Sequence, residues 1–279
     1  MKSFWTRFSY NRGAVIGLVI LTLVIATAIL APFLFPQSPW KMVQRPFLPP
    51  FTQDGLPLGT DALGRNVLSG LAHGAYVSLL VGLVSTIVAL AIGVPVGAAA
   101  GYFAGRTDDA LMRFTEFFQT IPSFALAIVL LAIFQPSLTF VIIAISIVSW
   151  PPVARLVRGE VLSLRTREFV EAASLSGLGN LQIILRHILP NALPPIIVLA
   201  SLMVAQAILL ESSLSFLGLG DPNIMSWGYM IGAARTVIRT AWWLSFLPGM
   251  AILLTVLALN LIGEGLNDAL NPRLTRKSE

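Results

Sequence analysis

Five stretches of this chain contain no Asp, Glu, Lys or Arg: residues 13–40, 66–105, 117–154, 187–210 and 240–263. About 20 residues in a helix cross a bilayer, so each stretch is long enough to span one. The third is interrupted near its middle by Gln135-Pro136-Ser137, and its length fits two spans joined by a tight turn. Six spans follow, at 13–35, 77–101, 116–135, 137–156, 190–213 and 243–264. The expected fold class is an all-α integral membrane protein.

Finer patterning adds detail to these spans. Gly93, Gly97, Gly101 and Gly105 recur every four residues, which on a helix makes a ridge that a second helix backbone can approach closely. Pro95 in the same region predicts a kink. The stretch from Pro36 to Ala75 is rich in proline and then in glycine (59, 64, 70 and 74), a pattern of tight turns and short capped helices that reads as a structured linker. Glu211 is the acid nearest the hydrocarbon, at the end of the fifth span. With Ser212 it is a candidate for the transport path, though a packing or hydrogen-bonding role suits its place at the outer end better. Trp227, Trp242 and Trp243 are expected at the outer interface.

Composition agrees with a membrane protein: 56% of residues are hydrophobic, 11% are charged and the mean hydropathy is +0.83. With the N-terminus inside, only Lys41, Arg45, Arg65, Arg235 and Arg239 of the 18 basic residues face outward, which is the bias that marks the cytoplasmic side. That topology also accounts for the net charge of +5, so nucleic acid is not an expected partner. A basic start followed by an apolar run and Ala26-Thr27-Ala28 imitates a secretory signal, but hydrophobicity continues to Phe35 and favours a span. There is no cysteine, phosphate-binding glycine loop or H-E-x-x-H, and His73 and His187 fall on opposite sides of the membrane. No catalytic residue, metal site or cofactor is assigned to this chain.

One charged segment, Arg167 to Asn191, breaks the apolar pattern most strongly. Read as helix, Phe169, Ala172, Ala173 and Ser176 form a face almost bare of bulk, suited to a groove, while Glu168 and Glu171 favour the helix start. Gly177 and Gly179 end the helix. A second short helix from Asn180 to His187 then places Leu181, Ile184, Leu185 and Ile188 on one face, and Leu189-Pro190-Asn191 turns the chain into the fifth span.

Glu171-Ala172-Ala173, Gly177 and Leu189-Pro190 resemble the EAA loop of ATP-binding-cassette importer permeases. The form "RHILPN", with His187 where isoleucine is general, resembles the dipeptide, oligopeptide and nickel branch. "LGTDALGRNVLSG", "GYFAGRTDDALMR" and "ILLESSLSFLGLG" are similar to other segments of that branch, with Asn66, Gly70, Tyr76, Asn267 and Asn271 as departures. The resemblance is to the C-type subunit. It implies a type I importer permease fold with cytoplasmic termini (1–12 and 267–279), a first span (13–35), an extracytoplasmic loop (36–76) and a five-helix core (77–266) holding the EAA loop at 157–190.

It further implies a heterodimer with a homologous permease in a bacterial or archaeal plasma membrane. Two cytoplasmic ATPase subunits would bind ATP and Mg, and an extracytoplasmic binding protein would deliver substrate. Glu168, Glu171, Ala172, Ala173, Gly177, Leu189 and Pro190 would couple to the ATPase. Peptides are the expected cargo, with nickel complexes or small glycosides as alternatives. An ion-coupled secondary transporter would be expected to show repeated halves and midplane acids, which are not found. For a membrane-embedded enzyme the acids, Asp61 and Glu116 among them, are too scattered.

Overall fold

A computed structural model describes residues 2–270, with side chains from residue 4. Helices α1 (Lys2–Tyr10) and α2 (Arg12–Leu34) open the chain, followed by α3 (Val67–Phe103), α4 (Gly105–Thr120), α5 (Ser123–Ile133) and α6 (Leu138–Leu164). Two short helices, α7 (Glu168–Leu175) and α8 (Asn180–Ile183), lead through a π-helical turn (Ile184–Ile188) into α9 (Leu189–Phe216). Then come α10 (Trp227–Ala234) and α11 (Trp243–Leu270). Among the described residues five helices are long and apolar enough to cross a membrane, and a sixth span is formed when α4 and α5, bent by 80°, are counted together.

Capping residues set several boundaries. The Asn11 side-chain Oδ1 accepts from the Ala14 amide and starts α2, and the Ser137 hydroxyl does the same for α6 through Phe140 N. Asn66 accepts from the amides of Leu68 and Ser69 and starts α3 at Val67, ten residues before the expected 77. Gly70 and Gly74, read as turn residues, lie inside this helix. They admit Met230 and Trp227, since a Cβ on Gly74 would stand 3.0 Å from the Trp227 ring. The expected loop 36–76 therefore ends at residue 66.

The third span is also corrected. It was placed as one segment over 116–135, but Pro122 lacks an amide donor and Ile121 is extended, so the chain breaks there into α4 and α5. The fourth and sixth spans run longer than expected, to Leu164 and Leu270. Leu189-Pro190-Asn191 makes no turn, and the helical path is continuous from Asn180 to Phe216. The π-turn at 184–188 accommodates Pro190, which has no amide hydrogen to donate. Ala28, the site of the signal-like motif, is buried within α2. The expected tail 267–279 lies outside the described residues from 271 onward.

Helix α3 packs along α6 as the central pair, with α2, α9 and α11 closing the bundle beside them. Chain direction and contacts give the bundle two ends. At one, the knob end, α7 and α8 project beside the ends of α3 and α6, and Asn11 at the start of α2 donates to Asp268 of α11 at 2.9 Å. At the other, the loop end, residues 35–66 and α10 meet. Gly59 and Gly64 there have positive φ and sit directly against the carbonyls of Leu48 and Gln44, so no other residue fits. Trp227 and Trp243 are buried and only Trp242 of the three expected interface tryptophans is exposed, because α10 seats Trp227 against α3 and packs Ala234 on Trp243.

Candidate functional site

The segment that interrupts the apolar pattern forms a rigid knob. Arg165, closing α6, donates to the Tyr102 carbonyl at 3.1 Å, and the Tyr102 hydroxyl donates to Asn180 Oδ1 at 3.1 Å, so both ends of the knob are fastened to the end of α3. Helix α7 stops at Gly177, whose φ of +79° permits the left-handed closure in which the amides of Gly177 and Leu178 donate to Ser174 and Ala173. Gly179 instead has an ordinary negative φ and caps α8.

The two alanines expected to share one docking face are divided. Ala173 is 7% exposed and joins Val170, Ile183, Ile184 and Ile188 in a core continuous with Val157 and Val161 of α6. Ala172 faces outward with Glu168, Phe169, Glu171 and Ser176, beside Leu175, which is 90% exposed. The second expected face, Leu181 with Ile184, Leu185 and Ile188, is likewise split. The wider π-turn sends Ile183, Ile184 and Ile188 inward and leaves Leu181 and Leu185 exposed. Leu189 is half-buried and Pro190 is exposed. The knob thus presents carboxylates around uncovered apolar side chains, and its inner face is part of the bundle core.

The glycine ridge lies where α3 meets α6. A Cβ on Gly93 would come within 2.6 Å of Val153, one on Gly101 within 2.7 Å of the Arg158 carbonyl, and one on Gly97 against the Ala154 carbonyl. Gly105 does not belong to this ridge. It has a φ of +53°, no neighbour within contact of an added Cβ, and opens α4 beyond the end of α3. Just past it, Asp108 receives two hydrogen bonds from Arg158, at 2.5 and 2.6 Å, which clasp α4 to α6.

The bend between α4 and α5 opens a groove of about 860 Å³ against α6 and α9. On α9 its wall is Leu199, Met203, Gln206, Leu210 and Ser213, a stripe at three- and four-residue spacing. On α6 it is Val148, Ser149, Pro152 and Arg155, and the bend contributes Gln119 and Ser123. The sequence reading missed this lining. The stripe is visible in the spacing of Gln206 and Ser213, but which face of α9 stays open depends on which helices cover the others.

Glu211 and Ser212, the candidate path residues, are turned away from the groove. Glu211 is 3% exposed, and its carboxylate accepts hydrogen bonds from Ser215 and Ser226 at 2.8 Å and from Ser212 at 3.4 Å. Ser226 also caps α10, so the acid fastens α10 to α9. Gly228 makes room for it, since a Cβ there would stand 2.9 Å from the carboxylate. The Trp227 amide donates to Ser78 and its indole to the Leu71 carbonyl, which completes the attachment to α3.

At the loop end Arg65 pairs with Asp61 and lies 5.0 Å from the Trp40 ring and 5.8 Å from the Tyr229 ring. Burial opposes its charge, but Tyr229 and Asp61 outweigh that and hold the guanidinium above its usual pKa. This clasp joins the long loop to α10.

Against this geometry the comparisons are specific. Residues 93–276 match the family described as binding-protein-dependent transport system inner membrane component. Residues 1–52 match the N-terminal TM domain of oligopeptide transport permease C. The di/tripeptide transport system permease protein DppC of Pseudomonas aeruginosa is 43% identical over 98% of this chain and 92% of its own length. The oligopeptide transport system permease protein OppC of Haemophilus influenzae is 40% identical over 98% and 89%. Among solved structures, a chain of the inward-facing MetNI methionine ABC transporter superposes with a TM-score of 0.60 at 18% identity, covering 70% of this chain and 93% of that one. The fold is that of a type I importer permease.

Proposed function

Because the chain belongs to the family of binding-protein-dependent transport system inner membrane components, we propose that it is the C-type permease of an ATP-driven importer of di- and oligopeptides. Its partners are a homologous second permease, two ATPase subunits and an extracytoplasmic binding protein. The knob end faces the cytoplasm of a bacterial or archaeal cell, and both termini lie on that side. Hydrolysis of ATP with Mg belongs to the ATPase partners.

The knob is the observation that carries this reading. Its outer surface, Glu168, Phe169, Glu171, Ala172 and Leu175, is uncovered, while its inner surface is continuous with the core between α6 and α9. A push on the outer face therefore moves helices rather than a loose loop, which is what coupling two distant sites requires. In this mechanism closure of the ATPases carries the knob with it. The knob end of α6 and the start of α9 follow, and those helices form walls of the groove. Two such grooves, one from each permease, would enclose the pathway. Glu168 and Glu171 are the charged contacts and Ala172 the close one, with Ala173, Gly177, Leu189 and Pro190 shaping the knob.

The test is uptake of a labelled dipeptide by proteoliposomes containing the four membrane and ATPase components with the binding protein outside. Uptake should require internal ATP and survive collapse of the membrane potential. Uptake that needs an ion gradient and proceeds without ATP would overturn the proposal.

A further inference from the structure

The groove holds a single charge. Its lining is apolar or neutral, with Gln119, Ser123, Ser149, Gln206 and Ser213 as polar groups and Arg155 as the one ionised residue. Arg155 also borders a smaller cleft of about 320 Å³ toward the knob end, lined by Asp108, Asp109, Arg113, Glu116 and Arg158. The nearest arginine on the same helix, Arg158, is occupied by Asp108 through both carboxylate oxygens. Among the described residues Arg155 has neither an ion pair nor a hydrogen bond, and it is exposed.

Along α6, Ser149, Pro152 and Arg155 follow one another at three-residue intervals on the groove face. Arg155 stands about 9 Å closer to the knob end than Ser149, at 1.5 Å per residue. An exposed guanidinium without a partner, in a groove otherwise neutral, is free to take an anion, and its planar fork fits a carboxylate with two parallel hydrogen bonds. The neutral amides and hydroxyls farther up can serve the peptide groups of any sequence, so they leave side chains unread.

We propose that Arg155 binds the terminal carboxylate of the peptide at the cytoplasmic end of the groove, which makes the free C-terminus a feature the permease itself recognises. This rests on the peptide-importer reading above. The asymmetry follows from the geometry: a C-terminal carboxylate gains the one cation of the groove, while a C-terminal amide gains nothing there.

The experiment compares uptake of dialanine and dialanine amide by the reconstituted complex, each at a concentration that saturates the binding protein, for the natural chain, Arg155→Gln and Arg155→Lys. Arg155→Gln should slow uptake of the free acid by roughly tenfold relative to the amide, and Arg155→Lys, with charge but no fork, should fall between. An unchanged rate for the acid, or an equal loss for acid and amide, overturns the proposal. The second result is what a lipid phosphate or an acid of the partner permease at Arg155 would give. If the complex with the natural chain imports neither compound, the peptide reading itself fails, and that outcome is seen before any variant is compared.

Discussion

At Gly97 a methyl group would have to occupy the space of the Ala154 carbonyl, and at Gly93 that of the Val153 side chain. Neither obstacle is the flexible tip of a side chain, so the helices must separate to admit a larger residue. Gly97→Val is expected to lower the stability of the purified chain in detergent by about 1–3 kcal/mol, the usual cost of overpacking, read from denaturant unfolding. Gly105→Val is a control of a different kind, because nothing touches the added group and only the left-handed backbone is penalised, by about 1–2 kcal/mol. Glu211 obeys another rule. Glu211→Gln keeps an acceptor for Ser215 and Ser226, whereas Glu211→Leu leaves those buried hydroxyls without it. The leucine variant should lose about 1–3 kcal/mol, with faster hydrogen exchange across 227–234, and the glutamine variant should stay near the natural chain.

Among the elements, α7 turns two adjacent alanines to opposite uses. Ala172 is on the uncovered side and Ala173 is in the core with Ile183 and Ile188. Ala172→Trp is expected to leave the thermal unfolding of the isolated chain unchanged while reducing peptide-stimulated ATP hydrolysis in the assembled complex. Ala173→Trp should lower the unfolding temperature of the isolated chain itself. Equal behaviour of the two variants in both measurements would contradict the division seen in the structure. The π-turn has a comparable role, since it decides that Ile184 faces inward and Leu185 outward just before α9 begins. It sets the rotational register between the knob and α9.

For the whole molecule the bend between α4 and α5 is decisive. A straight third span would leave no break beside α6 and α9, whereas the 80° bend leaves the groove open. The natural chain has no cysteine, so single substitutions can report which faces meet water. Cysteine at Gln206 is expected to react with a membrane-impermeant thiol reagent in the assembled complex, and cysteine at Ser212 to stay unreactive under the same conditions. Reaction at Ser212 alone would restore the path first read from the sequence.

The sequence by itself determined the membrane class, the number of spans, the cap that ends α7 at Gly177 and the glycine ridge at 93, 97 and 101. These follow from local chemistry: runs without charge, residues that tolerate a left-handed backbone, and spacing along one helix. Even the family resemblance rested on motifs each read along one short run of the chain. Tertiary structure alone decided which side of each helix is covered. Glu211 lies near the outer end of the fifth span in the sequence and near the end of α9 in the structure, but only the packing of α10 against α9 and α3 encloses it with three serines. Gly70 and Gly74 looked like turn residues until Met230 and Trp227 were found against them. Arg155 gained its place from Pro122, 33 positions away, because the break at that proline opened the groove beside it. Coverage depends on partners distant in sequence, and no local pattern encodes that distance.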